Sequence, residues 1–92
     1  MIISYADKDT ELVANHIRVP RFEKIERTAL RKLLQLEAAG KLSDLAVPPG
    51  NRLEALSGDR NGQHAIRIND QYRICFVWTD LGPKHVEIVD YH

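Results

Sequence analysis

The sequence predicts an α+β fold in which two helices pack on one face of an antiparallel sheet. Before Gly40, apolar residues recur at steps of three and four, which is the spacing of one helix face. After Pro49 the pattern changes to alternation, the spacing of a half-buried strand, and turn residues separate the alternating runs. Helices that precede a run of hairpins are typical of α+β proteins. We expect the element order β-α-α-β-β-β-β.

The first two elements are short. Residues 1–5 are apolar enough to form an N-terminal strand. Residues 7–18 are predicted to form a first helix, because Asp7 and Asp9 are each suited to accept hydrogen bonds from the free N–H groups of its first turn. Either aspartate is a candidate N-cap.

The second helix is predicted more strongly. Pro20 suits the first helical position because its fixed φ is already helical, and Gly40 is well placed to end the helix. One face of this helix is continuously apolar and is expected to face the sheet. That face consists of Phe22, Ile25, Ala29, Leu33 and Leu36.

The second half of the chain is predicted to be a loop followed by four strands. Pro48 and Pro49 exclude helix and interior strand, so residues 45–51 are expected to be a loop. A tight turn at Asn69 and Asp70 joins two strong strands. The predicted strands cover residues 51–57, which is weak, and 63–69, 72–78 and 84–91.

The composition is typical of one globular domain. The chain has 92 residues, of which 43% are apolar and 28% charged, so disorder is not expected. No stretch approaches the roughly 20 apolar residues of a membrane helix, and the N-terminus lacks the layout of a signal peptide. Cys75 is the single cysteine, which fits a reducing compartment. We therefore expect one domain, residues 1–92, in the cytoplasm and away from membranes.

Charge is distributed unevenly along the chain. The formal net charge is zero, so the whole protein is not steered towards nucleic acid. Basic residues are concentrated around the second helix, where most are expected to be solvated and to attract RNA at long range rather than by contact. This cluster consists of Arg18, Arg21, Lys24, Arg27, Arg31 and Lys32.

Two further arginines have a different setting. Because side chains alternate along a strand, Arg67 and Arg73 are predicted to lie together on the sheet face opposite the helices. Neighbouring guanidinium groups repel each other unless an anion lies between them, and a phosphate fits their planar fork. The alternative is that both are solvated or form ion pairs with Glu54 and Glu87. Spacing alone leaves both interpretations open.

Residues 90–92 place an acid, a phenol and an imidazole at the end of the last predicted strand. The imidazole of His92 can exchange a proton near neutral pH, Asp90 can orient or tune it, and Tyr91 can stack on a base. With an arginine these groups suffice for metal-free RNA cleavage. A metal site formed by histidines and a nucleophilic role for Cys75 are less favoured, because no ligand spacing is helical and the thiol lies within an apolar strand.

The second half of the chain resembles the HigB branch of the RelE-type toxins of bacterial toxin–antitoxin pairs. The resemblance rests on the motifs Gly58-Asp59-Arg60, Ile66-Arg67-Ile68-Asn69, Tyr72-Arg73 and Asp90-Tyr91-His92. It implies a compact α+β ribonuclease fold that cuts mRNA in the ribosomal A site, with no cofactor and no metal. It also implies a HigA-like helix-turn-helix antitoxin as partner, in a complex that binds operator DNA through the antitoxin.

The resemblance also assigns roles to individual residues. It implies that Asp90, Tyr91, His92 and Arg73 are catalytic and that Arg60 and Arg67 contact RNA or the ribosome. Some relatives have a histidine and a lysine before the Gly-Asp-Arg turn, where this chain has Glu54 and Ser57. These replacements predict a milder enzyme, or one in which Arg52 compensates by contacting RNA.

Two other functions remain alternatives. The same fold serves ParE-type toxins, which inhibit gyrase without cutting RNA. A catalytically weak relative could act only as a co-repressor with its antitoxin. The ending Asp90-Tyr91-His92 favours the nuclease over both.

Overall fold

The computed structural model describes residues 1–91 of the chain. It has an α+β architecture with two α-helices and a four-stranded antiparallel sheet, as predicted. The helices are α1 (Lys8–Ala14) and α2 (Glu26–Ala38). The strands are β1 (Glu54–Ala55), β2 (His64–Arg67), β3 (Tyr72–Thr79) and β4 (Gly82–Asp90), in the spatial order β1-β2-β3-β4. Short 3-10 helices cover Pro20–Ile25, Leu42–Ala46, Pro49–Asn51 and Gly58–Arg60.

Helix α1 is capped by the first of the two candidate aspartates. The Asp7 carboxylate accepts a hydrogen bond from the Thr10 backbone N–H at 2.7 Å. Asp9 lies inside the helix and instead pairs with the Arg21 guanidinium at 2.8 Å. The helix ends at Ala14, earlier than predicted, and His16 adopts a left-handed φ of 64° just beyond it.

Helix α2 buries the apolar face predicted for it, but its two ends differ from the prediction. Pro20 begins a 3-10 helix, and the α-helix starts only at Glu26. Gly40 does not act as a left-handed C-cap, because the chain becomes extended at Ala39. The Gly40 N–H instead donates to the Asp44 carboxylate at 3.0 Å. The buried residues are Phe22, Ile25, Ala29, Leu33 and Leu36.

The predicted N-terminal strand is reduced to a single parallel bridge between Tyr5 and Val86. Residues 3–6 run beside β4, with the Ile3 N–H donating to the Pro83 carbonyl at 2.8 Å. A regular ladder does not form here because His85, in a left-handed conformation with φ of 54°, donates its N–H to the Ser4 hydroxyl. The prediction of a strand is therefore wrong, although the segment lies at a sheet edge.

The segment between α2 and the sheet also differs from the predicted loop. It forms two 3-10 turns. Pro49 stands at the first position of the second turn, where the missing proline N–H costs no hydrogen bond. The weak strand predicted over residues 51–57 is present only as the two residues of β1. The other three predicted strands are present.

The hydrophobic core lies between α2 and one face of the sheet. Alternation along β3 places Ile74 and Phe76 on this face, fully buried, beside Ile66 of β2 and Val86 of β4. The register between β3 and β4 shifts after the pair Cys75 and Glu87, where β4 contains a bulge. The sheet therefore has one face under the helices and one open face.

A buried polar network joins α2 to the 3-10 turn that precedes β1. The Asn51 side chain is fully buried and donates to the Gln35 side chain at 2.9 Å and to the Leu45 carbonyl at 3.0 Å. Its amide oxygen accepts a hydrogen bond from the Lys32 ammonium. Burial lowers the pKa of Lys32, and nearby Arg31 lowers it further. The expectation that Lys32 belongs to a solvated basic face is therefore wrong.

Helix α1 completes the hydrogen bonding of the last strand. The Thr10 side chain is fully buried, and its hydroxyl accepts a hydrogen bond from the Ile88 N–H of β4 at 3.0 Å. The outer edge of β4 is thus satisfied by residues 3–6 at one end and by Thr10 at the other.

Within residues 1–91, no helix combines the length and the apolar character that crossing a membrane requires.

Asn51→Ala is expected to lower the free energy of unfolding by about 2–3 kcal/mol, because it leaves the Lys32 ammonium and the Leu45 carbonyl buried without their partner. Urea denaturation measures this quantity directly. Asn61→Ala is a matched control, since Asn61 is exposed, and its cost should stay within about 0.5 kcal/mol. Equal costs for the two variants would contradict a stabilising role of the network.

Candidate active site

The open face of the sheet brings the two predicted strand arginines together. Arg67 of β2 is the direct cross-strand partner of Arg73 of β3, so their side chains emerge on the same face. Cys75 and Glu87 are partners one step further along this face. The predicted adjacency of Arg67 and Arg73 is therefore confirmed.

The partners of these arginines differ from those proposed from the sequence. The Arg67 guanidinium pairs with the Asp70 carboxylate in the β2–β3 turn. Arg73 donates to two backbone carbonyls, of Asn69 at 2.5 Å and of Tyr72 at 3.1 Å. Neither arginine pairs with Glu54 or Glu87.

Arg60 pairs with Glu87, which neither Arg67 nor Arg73 contacts. It extends from the 3-10 turn Gly58–Arg60 and donates to Glu87 at 3.2 Å and to the Gln63 side chain at 3.0 Å. Arg73 thus differs from Arg60 and Arg67, because no carboxylate of residues 1–91 lies within 4.0 Å of its guanidinium.

A cleft of about 330 Å³ opens beside these residues, at the edge of the sheet formed by β1. Tyr91 and Arg60 contribute the aromatic and cationic parts of its lining, and Glu54 and Asp59 contribute acidic groups. Its lining consists of Glu54, Ala55, Leu56, Ser57, Asp59, Arg60 and Tyr91. Glu54 and Ser57, the two positions at which the resemblance implies replacements, therefore both line the cleft.

Tyr91 lies between the cleft and Arg73. Its ring centroid is 5.1 Å from the Arg73 Cζ, a cation–π distance, and the residue is 42% exposed. Burial raises the pKa of its phenol, and Cys75 and Glu54 raise it further, while Arg60 and Arg73 oppose them. The phenol is therefore protonated at neutral pH and can donate a hydrogen bond or stack.

Asp90 lies at the same end of β4 but on the other side of the sheet. It is the cross-strand partner of Tyr72, so its side chain shares the face of Tyr72. Its carboxylate accepts a hydrogen bond from the Gln71 side chain at 3.0 Å. The structure thus brings Tyr91, Arg73 and Arg60 together and places Asp90 across the end of the strand from them. The proposed catalytic residue His92 lies outside the described residues.

Arg52 lies two residues before β1, whose residues Glu54 and Ala55 line the cleft. It is exposed and adopts a left-handed φ of 47°, which is unusual for a residue with a side chain. No hydrogen bond or ion pair joins its side chain to another residue in the range 1–91. Its guanidinium is therefore available to an external anion.

Sequence reasoning did not identify the residues that hold these groups in place. Gln63 and Glu87 hold Arg60, and Asn69 and Gln71 contact Arg73 and Asp90. Asn69 had a signal in the sequence as a turn residue, and Glu87 was considered as an arginine partner, but for Arg67 and Arg73 and not for Arg60. The contacts Arg60–Glu87 and Gln71–Asp90 join parts of the chain that periodicity does not relate.

The alternative nucleophile and metal ligands are less suited to chemistry than the groups above. Cys75 is fully buried, and burial raises the pKa of its thiol, which favours an unreactive side chain. His64 stacks on Phe76, while His85 is exposed at the bulge of β4. Among residues 1–91, no three histidine, cysteine, aspartate or glutamate side chains form a potential metal site.

Comparison with known proteins places this geometry in a family. The sequence model of the RelE-like toxin of type II toxin–antitoxin system HigB matches residues 4–92. Toxin HigB-1 of Vibrio cholerae serotype O1 is 52% identical over 56 residues, or 61% of this chain and 59% of that toxin. An uncharacterised protein of Haemophilus influenzae is 34% identical over 65 residues, or 71% of this chain and 62% of that protein. The matches thus span about six tenths of the length of each relative.

A solved structure shares the fold over the full length. A chain of the YoeB-YefM complex from Staphylococcus aureus superposes with a TM-score of 0.63, and the match covers 100% of this chain and 98% of that chain. At 15% identity the likeness concerns the fold alone. The family match includes both the cleft residues and the segment that carries Tyr91. The chain therefore belongs to the HigB family of RelE-like toxins of type II toxin–antitoxin systems.

Proposed function

We propose that this protein is a ribosome-dependent endoribonuclease that cleaves mRNA and thereby inhibits translation. The observation that carries the proposal is the arrangement of Arg73 against Tyr91 beside an open cleft. It combines a cation for the phosphate with an aromatic ring for the nucleotide. Family membership supports the proposal independently.

The proposed reaction is a metal-free attack of a ribose 2′-OH on the adjacent phosphorus. A base removes the proton of the 2′-OH, and an acid protonates the departing 5′-oxygen. We assign these two proton transfers to Asp90 and His92 as a pair, with either residue as the base and the other as the acid. We assign the orientation of the nucleotide to Tyr91.

Arg73 is suited to stabilise the charge that develops on the phosphorane. Its two backbone carbonyl partners fix the guanidinium without neutralising it, and no carboxylate of residues 1–91 pairs with it. A fixed, uncompensated cation costs little reorganisation when the transition state forms. Arg73 is therefore the arginine that we assign to the chemistry.

Arg60, Arg67 and Arg52 are assigned to binding of RNA or the ribosome. Arg60 and Arg67 each pair with a carboxylate, which offsets part of their charge, whereas Arg52 is unpaired among the described residues. An arginine in a surface ion pair can still exchange its partner for a phosphate, because such pairs contribute little free energy. This division separates substrate attachment from catalysis.

Glu54 and Ser57 are proposed to moderate the activity. A carboxylate in the cleft opposes an anionic substrate, and a serine cannot supply the cation that some relatives have. We therefore propose a milder toxin in which Arg52 partly compensates.

We further propose that the partner is a HigA-like antitoxin with a helix-turn-helix domain, and that the complex binds operator DNA through that antitoxin. The Staphylococcus aureus structure that shares the fold is a YoeB-YefM complex, which supports a partnered state for this fold. Gyrase inhibition remains the alternative for a protein of this fold that does not cut RNA. Depletion of cellular mRNA on induction favours the nuclease, and DNA damage favours the alternative.

Purified protein is expected to cleave mRNA on programmed ribosomes and to leave the same naked RNA largely intact. The physical reason is the zero net charge, which gives little attraction to free RNA, so that the ribosome must position the message. Primer extension on both substrates measures the cleavage. Equal cleavage of the two RNAs would refute ribosome dependence, and no cleavage of either would refute the nuclease.

Arg73→Ala and Arg67→Ala are expected to fail in different ways. Loss of Arg73 should lower kcat with little change in ribosome affinity, since its charge acts in the transition state. Loss of Arg67 should weaken ribosome binding and reduce the salt dependence of that binding, with a smaller effect on kcat. Single-turnover cleavage and ribosome co-sedimentation separate the two effects. Identical profiles would show that the assigned division of roles is wrong.

His92→Gln is expected to lower the cleavage rate by roughly 10²–10⁴-fold, because glutamine is polar but cannot transfer a proton near neutral pH. Binding of the antitoxin should persist, which co-purification tests in the same preparation. His85→Gln is a matched control, because His85 is exposed on the bulge of β4. A fully active His92→Gln protein would remove the imidazole from the proposed chemistry.

A further inference from the structure

The β3–β4 ladder ends before the proposed catalytic segment does. The last cross-strand pair joins Tyr72, the first residue of β3, to Asp90, the last residue of β4. Tyr91 therefore has no partner within β3. A strand residue beyond the last ladder pair is ordered only by contacts outside that ladder.

Gln71, in the β2–β3 turn, supplies that partner through its backbone. The Tyr91 N–H donates to the Gln71 carbonyl at 2.6 Å, which continues the hydrogen bonding one residue beyond the ladder. Tyr91 is thereby held where its ring meets the Arg73 guanidinium.

The same residue also holds the neighbouring carboxylate. The Gln71 side-chain amide donates to Asp90 at 3.0 Å. Because Asp90 and Tyr91 are successive strand residues, their side chains leave on opposite sides. Gln71 is thus in contact with both, through its side chain in one case and its backbone in the other.

The turn that carries Gln71 is itself fixed. The Asn69 side chain accepts hydrogen bonds from the backbone N–H groups of Gln71 and Tyr72, both at 2.8 Å. The Asn69 carbonyl in turn accepts from Arg73. The turn therefore relates the positions of Arg73, Asp90 and Tyr91 to one another.

We infer that Gln71 is a positioning residue for the nuclease reaction, acting through Asp90 and Tyr91. This inference rests on the proposed function. Catalytic groups must be held within about 0.5 Å of the productive geometry, and a misplacement of about 1 Å can cost on the order of 10²-fold in rate. A purely structural role would instead affect stability, and the exposed hydrogen bond between Gln71 and Asp90 contributes little to the free energy of unfolding.

The kinetic test compares Gln71→Ala, which removes the amide, with Gln71→Glu, which keeps the shape but replaces the donor by a carboxylate. Both should lower kcat on programmed ribosomes by about 10-fold, with KM within about twofold of the parent value and an unchanged Tm. Asn61→Ala, in another exposed turn, is the control and should cleave at the parent rate.

Three outcomes would overturn the inference. The first is a kcat within about twofold of the parent for either variant. The second is a loss of kcat that is accompanied by a lower Tm, which indicates a structural role. The third is a loss confined to KM, which indicates that Gln71 contacts the substrate instead of positioning Asp90 and Tyr91.

A second measurement does not depend on cleavage. In the free protein, the heteronuclear ¹⁵N NOE of the Tyr91 and Asp90 amides should fall in Gln71→Ala and remain at the parent value in Asn61→Ala. Unchanged values in both variants would show that the Gln71 side chain does not order this segment. If the parent itself fails to cleave, the proposed function and the kinetic role of Gln71 both fall, while the NOE values still decide whether Gln71 orders residues 90–91.

Discussion

Strand β4 is hydrogen-bonded along both of its edges, and the rest of the structure depends on this constraint. On one side it pairs with β3 over most of its length. On the other side, residues 3–6 bond to its first half, and the Thr10 hydroxyl takes the place of a missing strand at Ile88. Strand β4, which ends next to Tyr91, is therefore ordered by residues 3–6 and by α1 as well as by its pairing with β3.

The bulge in β4 determines which residues reach each face. A one-residue change of register exchanges the two faces of a strand. At the bulge, β4 contains one residue more than β3, and His85 there has a left-handed φ. Val86 and Ile88 can then enter the core while Glu87 reaches the open face and pairs with Arg60. The bulge thus sets both the packing of the core and the charge beside the cleft.

Local periodicity predicted the fold class, the buried face of α2 and the adjacency of Arg67 and Arg73, whereas the choice between Asp7 and Asp9 as the cap of α1 was left open until the structure showed Asp7. Each of these depends on residues that are close in sequence or on strict alternation along paired strands. Periodicity could not predict the burial of Lys32, because its partner Asn51 belongs to a turn that follows two prolines. Nor could it predict that residues 3–6 pair in parallel with β4 or that Gln71 contacts Asp90, since both depend on the tertiary path of the chain. The candidate site was proposed mainly from the resemblance to a family, and the contacts that hold its residues in place emerged only from the structure.

The bonds on the outer edge of β4 also determine when the protein can assemble during its own synthesis. Thr10 and Ile88 are 78 positions apart, and Ser4 and His85 are 81 positions apart. Contacts of such large sequence separation form late and slowly in folding. The N-terminal helices leave the ribosome long before β4 does, so they cannot complete their packing until that strand has emerged. A nascent chain therefore lacks the outer-edge bonds of β4, and with them the complete four-stranded sheet, until β4 has left the exit tunnel.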